Sequence, residues 1–187
     1  IRFGLTTIKN FGHGVSSSIT AERKETGAFK SLADFLLRVK DKNLNKKSLE
    51  ALIKTGALDD FGERGSMLAN LDMLLAYHKE QANAPDNQDS LFGLMHGDSS
   101  LPSLRLETAQ PATQKNMLIW EKELLGLYIS GHPLDEFRDK ILSREINIKK
   151  LDTLSEGAEV VLAGIVVEAR DVLTKNNERM VFMRLED

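Results

Sequence analysis

Cysteine is absent from the 187 residues, which excludes a disulfide framework, a thiol nucleophile and a cysteine-based zinc site, and fits a reducing compartment. No apolar run approaches the ~18 to 20 residues that a membrane span needs, so no membrane partner is expected. The chain opens on Ile1-Arg2-Phe3-Gly4 without an initiator Met or a signal h-region, and it reads as an internal excerpt of a longer protein. Signatures of catalysis are equally scarce. The four histidines, His13, His78, His96 and His132, show no i, i+4 pairing and no Glu-flanked metal spacing. No serine elbow and no phosphate-binding lysine loop occurs. His132, before Pro133, reads as a cap or turn residue rather than a base, and Asp59-Asp60, with no third ligand nearby, as a helix end or surface feature. No repeat at solenoid spacing is visible.

What remains is an ordinary globular composition, 41% apolar and 28% charged, with a formal net charge of −3. That mean conceals a gradient. Residues 1–56 hold eleven Lys/Arg against five acids, a net +6, which leaves −9 on the remaining 131 residues. A basic end fits a polyanion partner, because phosphate neutralisation is local; it fits a solvated basic face equally well.

From Leu5 to about Phe61, short apolar-periodic runs broken by Gly predict a set of short helices. Ser31-Leu32-Ala33-Asp34 is a capping-box-like start for one of them. Met67-Leu68, Leu71 and Leu74-Leu75 keep helical spacing and predict one longer helix over 65–82. Residues 83–112 are polar, punctuated by Gly and Pro, and read as a linker or mobile loop. Met117, Leu118, Trp120, Leu124, Leu125 and Tyr128 form another helical stripe, stopped at Ser130-Gly131-His132-Pro133, with a short helix from Leu134 to Leu142 beyond. Val160–Val167 and Arg179–Leu185, across the turn Lys175–Glu178, predict two strands of a hairpin. Two strands alone are marginal in water, so the chain is expected to stop inside a β-domain.

Two windows point to phosphate. Leu5 to Ile19 has the form helix, Gly-containing turn, helix, with Asn10, Phe11, Gly12, His13, Gly14 and Val15 at its centre. Missing β-carbons let backbone amides approach an oxyanion, and the following helix aims its unbonded N–H groups and positive dipole end at the same place. The usual turn is Gly, hydrophobe, Gly; Asn10 replaces the first Gly, tolerable because Asn adopts the left-handed region readily. A Gly-rich helix break without a ligand is the plainer alternative. About 44 residues later, Lys46 and Lys47 open a basic helix that runs through Lys54 into Thr55, Gly56, Ala57 and Leu58, a second and weaker turn of the same kind. Paired hairpins could grip two phosphates of one duplex without reading bases. Gln88, Asp89, Ser90, Leu91 and Phe92 are a polar-to-apolar peptide inside the loop; Leu91 and Phe92 either anchor in a partner's pocket or tuck back onto the neighbouring helices.

In this order, Ile8–Gly14, Leu49–Asp59, Glu121–Leu134 and the terminal Leu185-Glu186-Asp187 resemble the catalytic α-subunit family of bacterial replicative DNA polymerase III across essentially the whole chain. The segment from Tyr128 to Leu134 is the most specific part of the match. The resemblance implies a mainly α fold: a tandem helix-hairpin-helix module with further helices, followed by an incomplete β segment of OB type. It implies double-stranded DNA as a partner of both hairpins and the sliding clamp, or β subunit, as the partner of Gln88–Phe92. Single-stranded template would bind a complete OB-fold, and other replicase subunits would bind outside the segment.

The domain arrangement expected is a hairpin module over 1–82, a loop with the clamp peptide over 83–112, a helical connector over 113–156 and the first OB strands over 157–187. The parent would be a DNA-directed DNA polymerase, a nucleotidyltransferase using Mg2+, located in the bacterial cytoplasm at the nucleoid. Its catalytic carboxylates would lie outside this segment, which then needs no cofactor. A helix-hairpin-helix scaffold that uses duplex DNA without a clamp, and an error-prone polymerase paralogue, are the alternatives.

Overall fold

A computed structural model describes residues 3–83, 104–143 and 148–186. The peptide Gln88–Phe92 lies outside the described residues. The chain divides into two compact units, Ile1–Ser130 and Gly131–Asp187.

The first unit is helical. A 3-10 turn, Leu5–Thr7, precedes α1 (His13–Thr26), α2 (Leu32–Arg38) and α3 (Lys46–Lys54); a second 3-10 turn, Asp59–Phe61, leads to α4 (Arg64–Ala69), α5 (Leu71–Asn83) and, after the 104–112 segment, α6 (Gln114–Leu125). The starts follow from capping chemistry. Ser31 accepts from the Asp34 amide at 3.1 Å while Asp34 accepts from the Lys30 amide at 2.8 Å. At α3 the arrangement is a reciprocal box: Asn45 accepts from the Ser48 amide and Ser48 Oγ accepts from the Asn45 amide. One core joins these helices: Phe11, Val15, Phe35, Leu36, Leu49, Leu52, Ile53, Met67, Leu74 and Leu124 are buried together. Arg38 closes the far end of α1, donating to Gly27 O at 2.9 Å, pairing with Glu22 and Asp34, and lying 4.3 Å from the centre of the Phe29 ring.

Two expectations are corrected here. The single helix over 65–82 is two, α4 and α5, broken at Asn70, whose side chain donates to Ser66 O at 2.8 Å and exchanges two hydrogen bonds with the Glu107 backbone. That pairing ties the 104–112 segment, which has no helix or strand, to α4. This stretch is held on α4 by Asn70 and by Glu63, which accepts from the Ala112 amide at 2.7 Å; Leu104 and Leu106 pack against the core. Its backbone passes so close that a β-carbon on Gly65 would lie 2.4 Å from Gln110 O. Finally, α6 ends at Gly126, in the left-handed conformation with φ 77°, rather than at Gly131. Leu118, Glu121 and Leu124 of α6 are buried in the first unit.

The second unit holds a 3-10 turn Asp135–Phe137, α7 (Arg138–Leu142), a 3-10 stretch Ile148–Thr153 and an antiparallel pair, β1 (Ile165–Leu173) and β2 (Arg179–Glu186). His132 is a turn residue: its Nδ1 accepts from the Leu134 amide at 3.3 Å. The first strand begins later than its apolar run. The turn is fixed by Thr174 accepting from Asn177 and pairing with Glu178, and the ladder counts back from Leu173 opposite Arg179 to Ile165 opposite Glu186, so Val160–Gly164 meet no partner strand among the described residues. Val167 is bulged between the paired Val166 and Glu168. Phe182 and Met183 stand 59% and 62% exposed.

Candidate nucleic-acid interface

The first turn has the backbone geometry its sequence predicts. Asn10 takes φ 68°, the left-handed conformation expected for the residue in place of Gly. Phe11 and Val15 are buried and anchor the turn, while Asn10, Gly12, His13 and Gly14 face solvent. Gly12 is the N-cap of α1 and offers no side-chain acceptor. The first bond into the helix runs from the Ser16 amide to Gly12 O, so the amides of His13, Gly14 and Val15 have no hydrogen-bond partner among the described residues. A β-carbon on Gly12, whose φ is −79°, would meet nothing within 4 Å. Unbonded amides at the positive end of a helix dipole have the character of an anion seat. What precedes the turn differs from expectation: the first helix of the hairpin is a three-residue 3-10 turn among the described residues.

Beside this seat lies Asp41. Its carboxylate accepts from Ser18 Oγ at 2.7 Å and from the Asn43 amide at 2.8 Å. These bonds, the Asn43 amide foremost, hold it below the ordinary carboxylate range.

The second turn is closed by its own side chains and backbone. Thr55 caps α3; Gly56, at φ 76°, donates to Ile53 O and Ala57 donates to Leu52 O, each at 3.0 Å. This is the Schellman pattern, and it engages the amides of Gly56 and Ala57 that the duplex reading assigns to phosphate. Leu58 is buried. The next helix has no open positive end either, because Glu63 caps the amides of Gly65 and Ser66, each at 2.8 Å. Of the lysines, Lys54 is turned onto Glu50 at 2.6 Å and lies 5.7 Å from the centre of the Trp120 ring. Lys46 reaches Asp72 at 2.7 Å but remains exposed, as does Lys47.

The turn is filled by Arg64, which sequence reasoning missed. Its Nε and Nη2 grip the Asp59 carboxylate at 2.9 and 2.8 Å, and its Nη1 donates to Lys54 O at 3.2 Å and to Glu121 Oε1 at 2.9 Å. A β-carbon on Gly56 would sit 2.2 Å from Nη2, so the position requires Gly for clearance as well as for its φ. Glu121, fully buried, accepts in addition from the Ile129 and Ser130 amides at 2.7 and 2.9 Å and from Ser130 Oγ at 2.8 Å. Burial pushes its pKa up, but the four donors outweigh burial and hold it below the ordinary glutamate value. The same balance lowers Glu63, where burial is opposed by the Gly65, Ala112 and Ser66 amides. A signal existed for Glu121: it falls within the apolar stripe of Met117, Leu118 and Leu124, where a carboxylate requires a buried partner.

A pH dependence follows. Carboxylates held below their unfolded values stabilise the fold above those values and lose that contribution as pH falls through the folded ones. Trp120, the single tryptophan, should therefore report a melting temperature for the first unit that falls as pH drops from about 5 toward 3, with little change from about 6 to 7.5. A flat profile down to pH 3 would contradict the lowered values at Glu63 and Glu121.

A short-turned helical unit with an uncapped helix end at its Gly turn is of the helix-hairpin-helix class, and the family model described as a helix-hairpin-helix motif matches residues 1–67. The whole chain also aligns with DNA polymerase III subunit alpha of Thermus aquaticus, 37% identical over 194 residues, and of Borreliella burgdorferi, 36% identical over 192 residues. The subunit from Aquifex aeolicus is 35% identical over 187 residues. Each alignment takes in 100% of this chain but 15 to 17% of the relative. The chain is a segment of the DNA polymerase III α-subunit family. Among the described residues no helix is long and apolar enough to cross a membrane.

Proposed function

We propose that this segment holds duplex DNA for a bacterial replicative polymerase through phosphate contacts at the first hairpin, and that its loop peptide docks the sliding clamp. The observation that carries the duplex reading is the uncapped start of α1, where the His13, Gly14 and Val15 amides have no hydrogen-bond partner among the described residues and the β position of Gly12 has open space over it. Lys46 and Lys47, both exposed on α3, add sequence-independent charge. Phosphate contacts of this kind fix the register of the duplex and carry no base information. The second turn contributes support, since its Gly56 and Ala57 amides are engaged internally.

For the parent chain the reading is a DNA-directed DNA polymerase, cytoplasmic and working at the nucleoid, with processivity supplied through the clamp. The relatives' shared name supports the polymerase assignment. The Gln88–Phe92 pattern supports the clamp assignment. The exposed apolar side chains of β1 and β2 support their completion by further strands into an OB barrel for single-stranded template.

The duplex reading is tested by titrating a labelled duplex at several salt concentrations. Affinity should be indifferent to sequence and fall with salt at a slope of about −0.9 per neutralised phosphate. Gly12→Val, whose β-carbon meets no protein atom within 4 Å, should leave the helical content intact and weaken binding by keeping the phosphate from the turn. Equal affinity in a folded Gly12→Val variant would remove the first turn from the interface.

A further inference from the structure

We propose that α6 is a brace holding the first hairpin turn in register with the second, and that Glu121 is the positioning residue that locks it. The consequence for DNA rests on the phosphate-binding reading above; the brace itself does not.

The first turn is anchored by buried Phe11 and Val15, but the element before it is only a three-residue 3-10 turn. A further tie comes from across the fold. The Lys9 amide, immediately before Asn10, donates to Leu124 O at 2.9 Å. Leu124 O belongs to the last turn of α6, whose carbonyls have no intrahelical amide to receive, so a partner from elsewhere satisfies both groups at once. Wherever the end of α6 sits, the phosphate turn is set with it.

The position of α6 is in turn fixed by Glu121, one helical turn before Leu124. Apolar packing alone tolerates small slides of a helix; a fully satisfied buried carboxylate does not, because any slide strands charge or donors out of reach of water. Oε1 takes Arg64 and the Ser130 hydroxyl, and Oε2 takes the two amides that return after the Gly126 reversal. The guanidinium cannot follow a moving partner, since its other edge is bidentate on Asp59 and it also donates to Lys54 O, the end of α3. A continuous set of hydrogen bonds therefore runs from the end of α3 through Arg64 and Glu121 to α6, and from Leu124 O to the first turn.

The test has two arms. In the wild-type protein, amide exchange should group Lys9 with Ile129 and Ser130 at protection well above that of exposed turn amides; exchange of Lys9 at the rate of an unstructured turn overturns the brace. In Glu121→Gln, which keeps the shape but gives one side-chain atom the wrong hydrogen-bonding sense, protection at Lys9, Ile129 and Ser130 should fall while α3 amides stay slow. Duplex Kd should rise about fivefold, roughly 1 kcal/mol, at unchanged binding stoichiometry. Partial unfolding would lower the stoichiometry instead, and that outcome, or unaltered Lys9 protection, overturns the positioning role. If Glu121→Gln fails to fold, Ser130→Ala, which removes one donor to Oε1, should show the same local loss of protection in smaller measure; its absence counts against the proposal. Failure of the wild-type protein to bind duplex removes the phosphate reading and leaves the exchange arm to decide the brace.

Discussion

Arg64→Met is expected to cost the first unit about 3 to 5 kcal/mol, the loss typical when one partner of a buried ion pair is removed. Arg64 and Glu121 have side chains 7% and 0% exposed, and Met fills the volume of the aliphatic stem without replacing the charge. Glu121 would keep its three donors from Ile129 and Ser130 but lose the only cation bonded to it among the described residues; Lys54 O would lose a donor as well. Urea denaturation followed through Trp120 should show an earlier midpoint at an unchanged slope, the signature of lost stability rather than altered compactness. A cycle with Glu121→Gln should return a coupling energy above ~1 kcal/mol, as for residues in one network. Coupling near zero, or a midpoint within experimental error of wild type, would show that the pair contributes no net stability.

Replacing Leu91 and Phe92 by Ala together is expected to weaken binding to the sliding clamp by several kcal/mol, on the scale of roughly 2 kcal/mol or more for each anchor and not strictly additive. Melting temperature should stay where it was, because an anchor destined for a partner's pocket contributes little at home. The two measurements separate the readings of this peptide. A marked loss of thermal stability with no change in clamp affinity, or no clamp binding in the unaltered protein, would place the pair in the protein's own core and sink the clamp assignment.

Two of the helix starts were legible because they depend on local chemistry: Ser31 with Asp34, and the Gly turn after Asn10, declare themselves within four residues. Helix ends and breaks were harder. Asn70 interrupts a continuous apolar stripe because its side chain pairs with Glu107, a contact 37 residues away that no local window contains. Gly126 and Gly131 are both plausible stops by residue type, and the choice between them was made by Glu121 reaching back to Ile129 and Ser130. The first turn of the candidate site was readable as backbone, whereas the closing of the second by Arg64, Asp59 and Glu63 needed the third dimension. Charge counting misled in the same way: Arg38 and Lys54 add to the basic tally, yet both are engaged in ion pairs within the fold.

The pinning of 104–112 onto α4 decides how the peptide upstream of it can be offered to another molecule. The end of α5 is one fixed point of the chain, and Leu104, with the Asn70–Glu107 and Glu63–Ala112 bonds behind it, is the next among the described residues. Gln88–Phe92 thus lies between two fixed ends in the sequence. Its separation from the unit is bounded by the shorter of two spans, from Asn83 or back to Leu104, at no more than ~3.6 Å per residue. A receptor for it must admit an internal peptide with chain continuing at both ends, so a pocket that reads a terminal carboxylate could not take it. Releasing either fixed end would make a longer tether, and the local concentration of the peptide at a bound partner would fall with the length gained.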